Sequence, residues 1–154
     1  MGEPTATDEG FDVRSLLRDL ELFRHLNDAT LSELAGQLEW FALPGGATLF
    51  EYGDPSDALY VLKSGSLGAF KPDANGEFKL EGVVAAGETV GELGLIVDQP
   101  RSASVRALRD SELLRLSRNG FKTLMAKDPQ AMLDDMLAYV FAGLAAIRSS
   151  RARR

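Results

Sequence analysis

Ser66-Leu67-Gly68-Ala69-Phe70-Lys71-Pro72-Asp73-Ala74-Asn75-Gly76-Glu77-Phe78-Lys79-Leu80-Glu81-Gly82-Val83-Val84-Ala85 reads as two short strands joined at a turn. Asn and Gly tolerate the positive backbone φ that a tight hairpin requires, so Asn75-Gly76 is the strongest hairpin signal in the chain. Further short runs lie on either side: Trp40 to Leu43, Thr48 to Phe50, Ala58 to Leu62, Ser102 to Ala107 and Glu112 to Leu116. Pro44-Gly45-Gly46, Gly53-Asp54-Pro55 and Ser64-Gly65 separate them as corners. Many short strands punctuated in this way predict a mainly β architecture, a jelly-roll-like β-roll or double-stranded β-helix.

Helices flank the strands. Val13, Leu16, Leu17 and Leu20 recur at helical spacing, and Thr30-x-x-Glu33 reads as a capping box ahead of Leu31, Leu34, Ala35 and Leu38. Phe121 to Ala126 predicts a short helix. Asp128-Pro129 then reads as an N-cap with proline at the first helical position, opening a long helix to about Arg148. Within it Leu133, Leu137, Val140, Leu144 and Ile147 form a heptad seam, which suits either packing on its own domain or pairing with a second copy. Residues 1–10 read as a disordered leader, 11–148 as one domain and 149–154 as a basic disordered tail.

The 154 residues carry 45% hydrophobic and 26% charged side chains, ordinary for a globular domain. With no cysteine and one histidine, neither a disulfide framework nor a metal site is expected. The formal charge is −6, yet Arg148, Arg151, Arg153 and Arg154 sit at the very end; without them 13 basic residues face 23 acidic ones, or −10. Such a body repels nucleic acid, so none is expected as a partner. No membrane span or signal peptide is apparent, and a cytoplasmic location is expected.

The chemically richest segment runs from Gly91 to Val105. Gly91 lets the backbone approach a ligand closely, and amides opening a short turn at Leu93 to Val97 would face an anion. Glu92 can accept from a sugar hydroxyl, Arg101 offers a planar fork to phosphate oxygens, and Ser102 adds a hydroxyl. A structural ion pair between Arg101 and Glu92 is the plainer alternative. Glu88 and Glu92 lack the nucleophile or metal set that an acid–base pair would need, and no Gly-x-Ser-x-Gly elbow is present, so no catalytic residue is assigned. His25 reads as a surface or half-buried loop residue.

Glu51-Tyr52-Gly53-Asp54-Pro55-Ser56-Asp57-Ala58-Leu59-Tyr60-Val61, then Gly65, Gly91-Glu92-Leu93 and Pro100-Arg101-Ser102-Ala103-Ser104-Val105, together resemble the cyclic-nucleotide-binding domain family. The resemblance covers about Leu16 to Ile147 and includes the nine-residue spacing from Glu92 to Arg101, that of the family's phosphate-binding cassette. It implies a catabolite-activator-like β-roll flanked by helices, with the nucleotide held between the roll and the last helix. Gly91 and Leu93 would offer main-chain contacts, Glu92 would take the ribose 2′-hydroxyl, and Arg101 would pair with the cyclic phosphate. Ser102 and Ala103 would present amides, while Val90 and Val105 would form apolar wall. The ligand would be cyclic AMP in preference to cyclic GMP.

Leu38-Glu39-Trp40, Leu43-Pro44-Gly45-Gly46 and Arg106 to Ser117 look like the regulatory domains of bacterial patatin-like phospholipases of the neuropathy-target-esterase type. That likeness implies a non-catalytic regulatory fragment whose partner is a C-terminal catalytic domain of the parent protein, with a homodimer through the 129–148 helix as a further candidate. Two alternatives stay open: the sensing part of a catabolite-activator-type transcription regulator without its DNA-binding domain, and a degenerate interaction module that binds no ligand.

Overall fold

The corner expected at Ser64-Gly65, and the gap between the runs Ser102 to Ala107 and Glu112 to Leu116, are crossed by continuous strands in the computed structural model, which describes residues 13–92 and 98–152. The described residues divide into two compact units, one made of Gln37–Phe121 and the other joining residues 13–36 to 122–152.

In the first unit, β1 (Glu39–Leu43), β2 (Thr48–Phe50), β3 (Ala58–Pro72), β4 (Phe78–Ala85), β5 (Thr89–Val90) and β6 (Ser104–Ser117) form one antiparallel sheet. Its order is β1-β6-β3-β4, with β2 also on β6 and β5 also on β3. This is the β-roll architecture that the strand pattern predicted. The spine is the β3–β6 ladder, which runs from Ala58 opposite Ser117 to Phe70 opposite Ser104 and shifts register around Ser64 and Ser66.

Gly65 explains why that ladder survives its own turn signal. It takes φ +104°, and a Cβ there would lie 2.6 Å from the Ser111 Cα. The two backbones therefore approach closely, and Ser111 Oγ satisfies the displaced groups by accepting from Ser66 N at 3.2 Å and donating to Arg109 O at 2.8 Å. What reads as a break in sequence is a bulge inside a strand.

The hairpin of β3 and β4 is present, but its connection is the five-residue segment 73–77, not a two-residue Asn-Gly turn. Asp73 organises it: its N–H donates to Glu77 O and its Oδ1 accepts from Asn75 and Glu77 amides, while Gly76 takes φ +82°. On the inner face Leu43, Ala58, Tyr60, Leu62, Leu67, Val105, Ala107 and Leu113 make one buried cluster, with Phe50, Ala69, Val84 and Val90 packed against it.

The second unit contains α1 (Val13–Arg18), a 3-10 turn (Glu21–Phe23), α2 (Asp28–Gln37), the end of α3 (Arg118–Lys127) and α4 (Pro129–Ala152). The cap of α2 differs from the expected box: Asn27 Oδ1 accepts from Thr30 N at 2.8 Å, so Thr30 lies inside the first turn. Glu33 pairs with Lys127 instead of reaching back to the helix start. Pro129 opens α4 as expected, but the helix runs through Ser149 to Ala152, past the predicted end at Arg148. No helix among the described residues is long and apolar enough to cross a membrane.

Among the described α4 side chains Met132 and Asp135 are buried, while Leu133, Leu137, Val140 and Phe141 are exposed. The described part of the heptad seam is thus on the exposed face of the helix. His25 is half-exposed as a loop residue should be, but its N–H donates to both Asp135 carboxylate oxygens at 3.1 Å and its Nδ1 contacts Oδ1. A fully buried carboxylate is tolerable only with such partners.

Gly65→Ala is expected to reduce the unfolding free energy by about 2–4 kcal/mol, combining backbone strain with a clash against Ser111. Urea denaturation checks this; an unchanged midpoint would mean the ladder accommodates a side chain there.

Candidate functional site

Arg101 stands immediately before β6, and its own backbone is fixed first. Its N–H donates to Asp54 O at 2.8 Å and its C=O accepts from Gly53 N at 2.9 Å, so the Gly53-Asp54 corner and the β6 approach are tied together. The side chain then turns inward until only 3% of it is exposed. Nη2 donates to Ala58 O at 2.8 Å and to Asp57 Oδ1 at 3.3 Å, and Nη1 donates to Gly91 O at 3.2 Å. The guanidinium carbon lies 4.1 Å from the centre of the Phe50 ring and 5.9 Å from that of Tyr60.

Nε is the exception. It is buried and has no hydrogen-bond partner among the described residues. Desolvation lowers the Arg101 pKa, opposed by Tyr60, Asp57 and Asp54, and an arginine remains a cation even so. A buried guanidinium with a spare donor is a ready receptor for an oxyanion, because leaving such a donor empty costs roughly 1–3 kcal/mol.

Gly91 is required twice. Its φ is +82°, and a Cβ would sit 2.3 Å from Arg101 Nη1. Among the residues expected at the site, the structure brings Gly91 and Arg101 into direct contact. The alternative of an Arg101–Glu92 ion pair is overturned, since the carboxylate that pairs with Arg101 is Asp57. Glu92 is half-buried beside Gly91 with helical backbone. Ser102 is exposed and Ala103 buried, both in the bend that leads into β6.

Val90, opposite Tyr60 on β5, and Val105, opposite Ala69 on β6, both belong to the apolar inner face. Leu93 and the turn expected at Leu93 to Val97 lie outside the described residues. No group of three or more potential metal ligands occurs among the described residues.

Sequence reasoning missed Asp57, Phe50 and the Ala58 carbonyl. Asp57 is 44 residues from Arg101, a separation with no local periodicity to betray it. Its place directly ahead of β3 is the one available signal, since a charged residue at a strand entrance next to an apolar run is well placed to pair.

This sheet, with its flanking helices, defines a class, the β-roll domains. The family described as "Cyclic nucleotide-binding domain" matches residues 40–128. The chain belongs to that family. A cAMP-dependent protein kinase regulatory subunit of Aspergillus fumigatus is 39% identical over 111 residues, which cover 72% of this chain and 26% of that protein. An NTE family protein of Mycobacterium bovis is 32% identical over 120 residues, 78% of this chain and 20% of the relative. The chain thus spans about a fifth to a quarter of the length of these curated relatives. Among solved structures, the Thermus thermophilus catabolite activator protein superposes with a TM-score of 0.75 at 26% identity, covering 86% of this chain and 62% of that one.

Gly91→Ala should destabilise the protein by about 1–3 kcal/mol, because the added Cβ competes with Arg101 for space. In the Gly91→Ala/Arg101→Ala double variant the two losses should sum to less than the separate values. Thermal denaturation of the four proteins closes the cycle, and strict additivity would show that the two residues do not meet.

Proposed function

We propose that residues 11–148 form a non-catalytic sensor domain that binds a cyclic nucleotide, cyclic AMP in preference to cyclic GMP, and signals its occupancy through α4. The observation that carries this reading is the buried Arg101 guanidinium, held beside Gly91 with Nε unpaired among the described residues. In this reading Arg101 takes the cyclic phosphate and the Gly91, Leu93, Ser102 and Ala103 main chain supports it. Glu92 takes the ribose 2′-hydroxyl, and Val90 and Val105 form apolar wall. The name of the Aspergillus relative supports cyclic AMP as ligand.

Likeness to an NTE family protein supports a parent in which the sensor regulates a patatin-like lipid hydrolase. The superposition on a catabolite activator favours a second reading, the sensing part of a transcription regulator. Ligand can shift the sensor only by binding one arrangement more tightly than another, so regulation in either parent rests on that differential affinity.

Leu133, Leu137, Val140 and Phe141 on α4 are exposed, at 49%, 48%, 44% and 65%. We propose that a second copy covers this stripe, making the domain a homodimer. An apolar row at coiled-coil spacing is otherwise costly to leave in water.

Cyclic AMP at 100 times its dissociation constant should stabilise the protein by about 2.7 kcal/mol. Arg101→Ala should lose about 2–5 kcal/mol of binding in titration calorimetry. Absence of any stabilisation by cyclic AMP or cyclic GMP would leave a non-binding interaction module instead. Separately, Leu137→Glu should convert a dimer to monomer in sedimentation equilibrium. A wild-type monomer at 100-fold varied concentration would overturn the pairing.

A further inference from the structure

Asp57 shares its carboxylate between two arginines. Oδ1 lies 3.3 Å from Arg101 Nη2, and Oδ2 lies 3.5 Å from Arg115 Nη2. The Asp57 side chain is 68% exposed and stands just outside β3, so by itself it would be free to rotate into water. Arg115 has no such freedom. It is in the body of β6, opposite Tyr60 of β3 on one side and Glu39 of β1 on the other, with its side chain only 25% exposed. Its Nη1 also reaches Glu39 Oε1 at 3.3 Å.

We infer that Arg115 is a positioning residue for the cyclic-phosphate site, holding the outer oxygen of Asp57 so that the inner one keeps Arg101 in one orientation. The inference rests on the nucleotide reading given above. The effect is geometric: a carboxylate gripped at both oxygens keeps one rotamer, which keeps Arg101 Nη2 in place before ligand arrives.

Tyr60 supplies a second link. It stands opposite Arg115 in the β3–β6 ladder, and its ring centre is 5.9 Å from the Arg101 guanidinium carbon. Burial by itself would lower the Arg115 pKa, but Tyr60, Asp57 and Glu39 outweigh it and hold that arginine above its ordinary value. Arg115 is thus a permanent cation at this position.

The test compares wild type, Arg115→Gln, Arg115→Lys and Glu39→Gln by calorimetric titration with cyclic AMP and cyclic GMP, alongside urea denaturation. Arg115→Gln should weaken both nucleotides roughly 3–10-fold, the same factor for each because the effect acts on the phosphate. Arg115→Lys should recover most of the loss. Glu39→Gln breaks the tie to β1 without touching Asp57 and should bind as wild type does. Without ligand, NMR of the Arg101 guanidinium should show faster rotation about the Nε–Cζ bond in Arg115→Gln.

Unchanged affinity and unchanged rotation in Arg115→Gln would overturn the inference while leaving the nucleotide reading intact. Equal weakening by Arg115→Gln and Glu39→Gln would also overturn it, assigning Arg115 to sheet stability. If wild type bound neither nucleotide, the nucleotide reading would fail and this role with it.

Discussion

One buried guanidinium organises the sheet unit. Arg101 reaches the β3 entrance through Asp57 and Ala58, the turn after β5 through Gly91, and the end of β2 through Phe50. These segments lie far apart in the chain, and each supplies an acceptor or a ring face that offsets the cost of taking a cation out of water. The main-chain carbonyls are especially suitable, because they accept from the guanidinium without adding a formal negative charge that would repel an anionic ligand. The requirement for glycine at residue 91 follows directly, since the guanidinium occupies the space a Cβ would need.

The ladder of β3 and β6 gives that arrangement its rigidity. It aligns Ala58 with Ser117 and Tyr60 with Arg115 while the approach to β6 carries Arg101. The same ladder puts Val105 opposite Ala69, so the inner face beside the arginine is apolar. A cation with a spare donor next to an apolar wall suits a ligand with a charged end and an uncharged one, as a cyclic nucleotide has. The bulge at Gly65 lets the strands stay paired through a stretch where side-chain sterics would otherwise part them.

Charge operates at two ranges here. At long range an acidic body discourages any anion. At short range, Asp57 bridges Arg101 and Arg115, and Glu39 pairs with Arg115 in turn. The helical unit solves a different problem of burial: Asp135 is fully buried and is held by the N–H and ring of His25. On α4 that inward face is Met132 and Asp135, which leaves Leu133, Leu137 and Val140 on the surface.

Local patterns carried much of this in the sequence. Short apolar runs between glycine corners set the strand-rich class, Asp128-Pro129 set the start of α4, and Gly91 marked a close backbone approach, because backbone φ, capping and close approach depend on neighbouring residues. What stayed hidden depends on contacts across dozens of residues. The continuity of β3 and β6 needed Ser111 to satisfy the bulge at Gly65, the cap of α2 turned on Asn27, and the choice of Asp57 over Glu92 as partner of Arg101 followed from which carboxylate the folded sheet brings within reach. Residue type and spacing thus pointed to an arginine and a glycine meeting here. Only the tertiary structure decided which distant groups hold them, since pairing energies fall off with distance in space and not with separation along the chain.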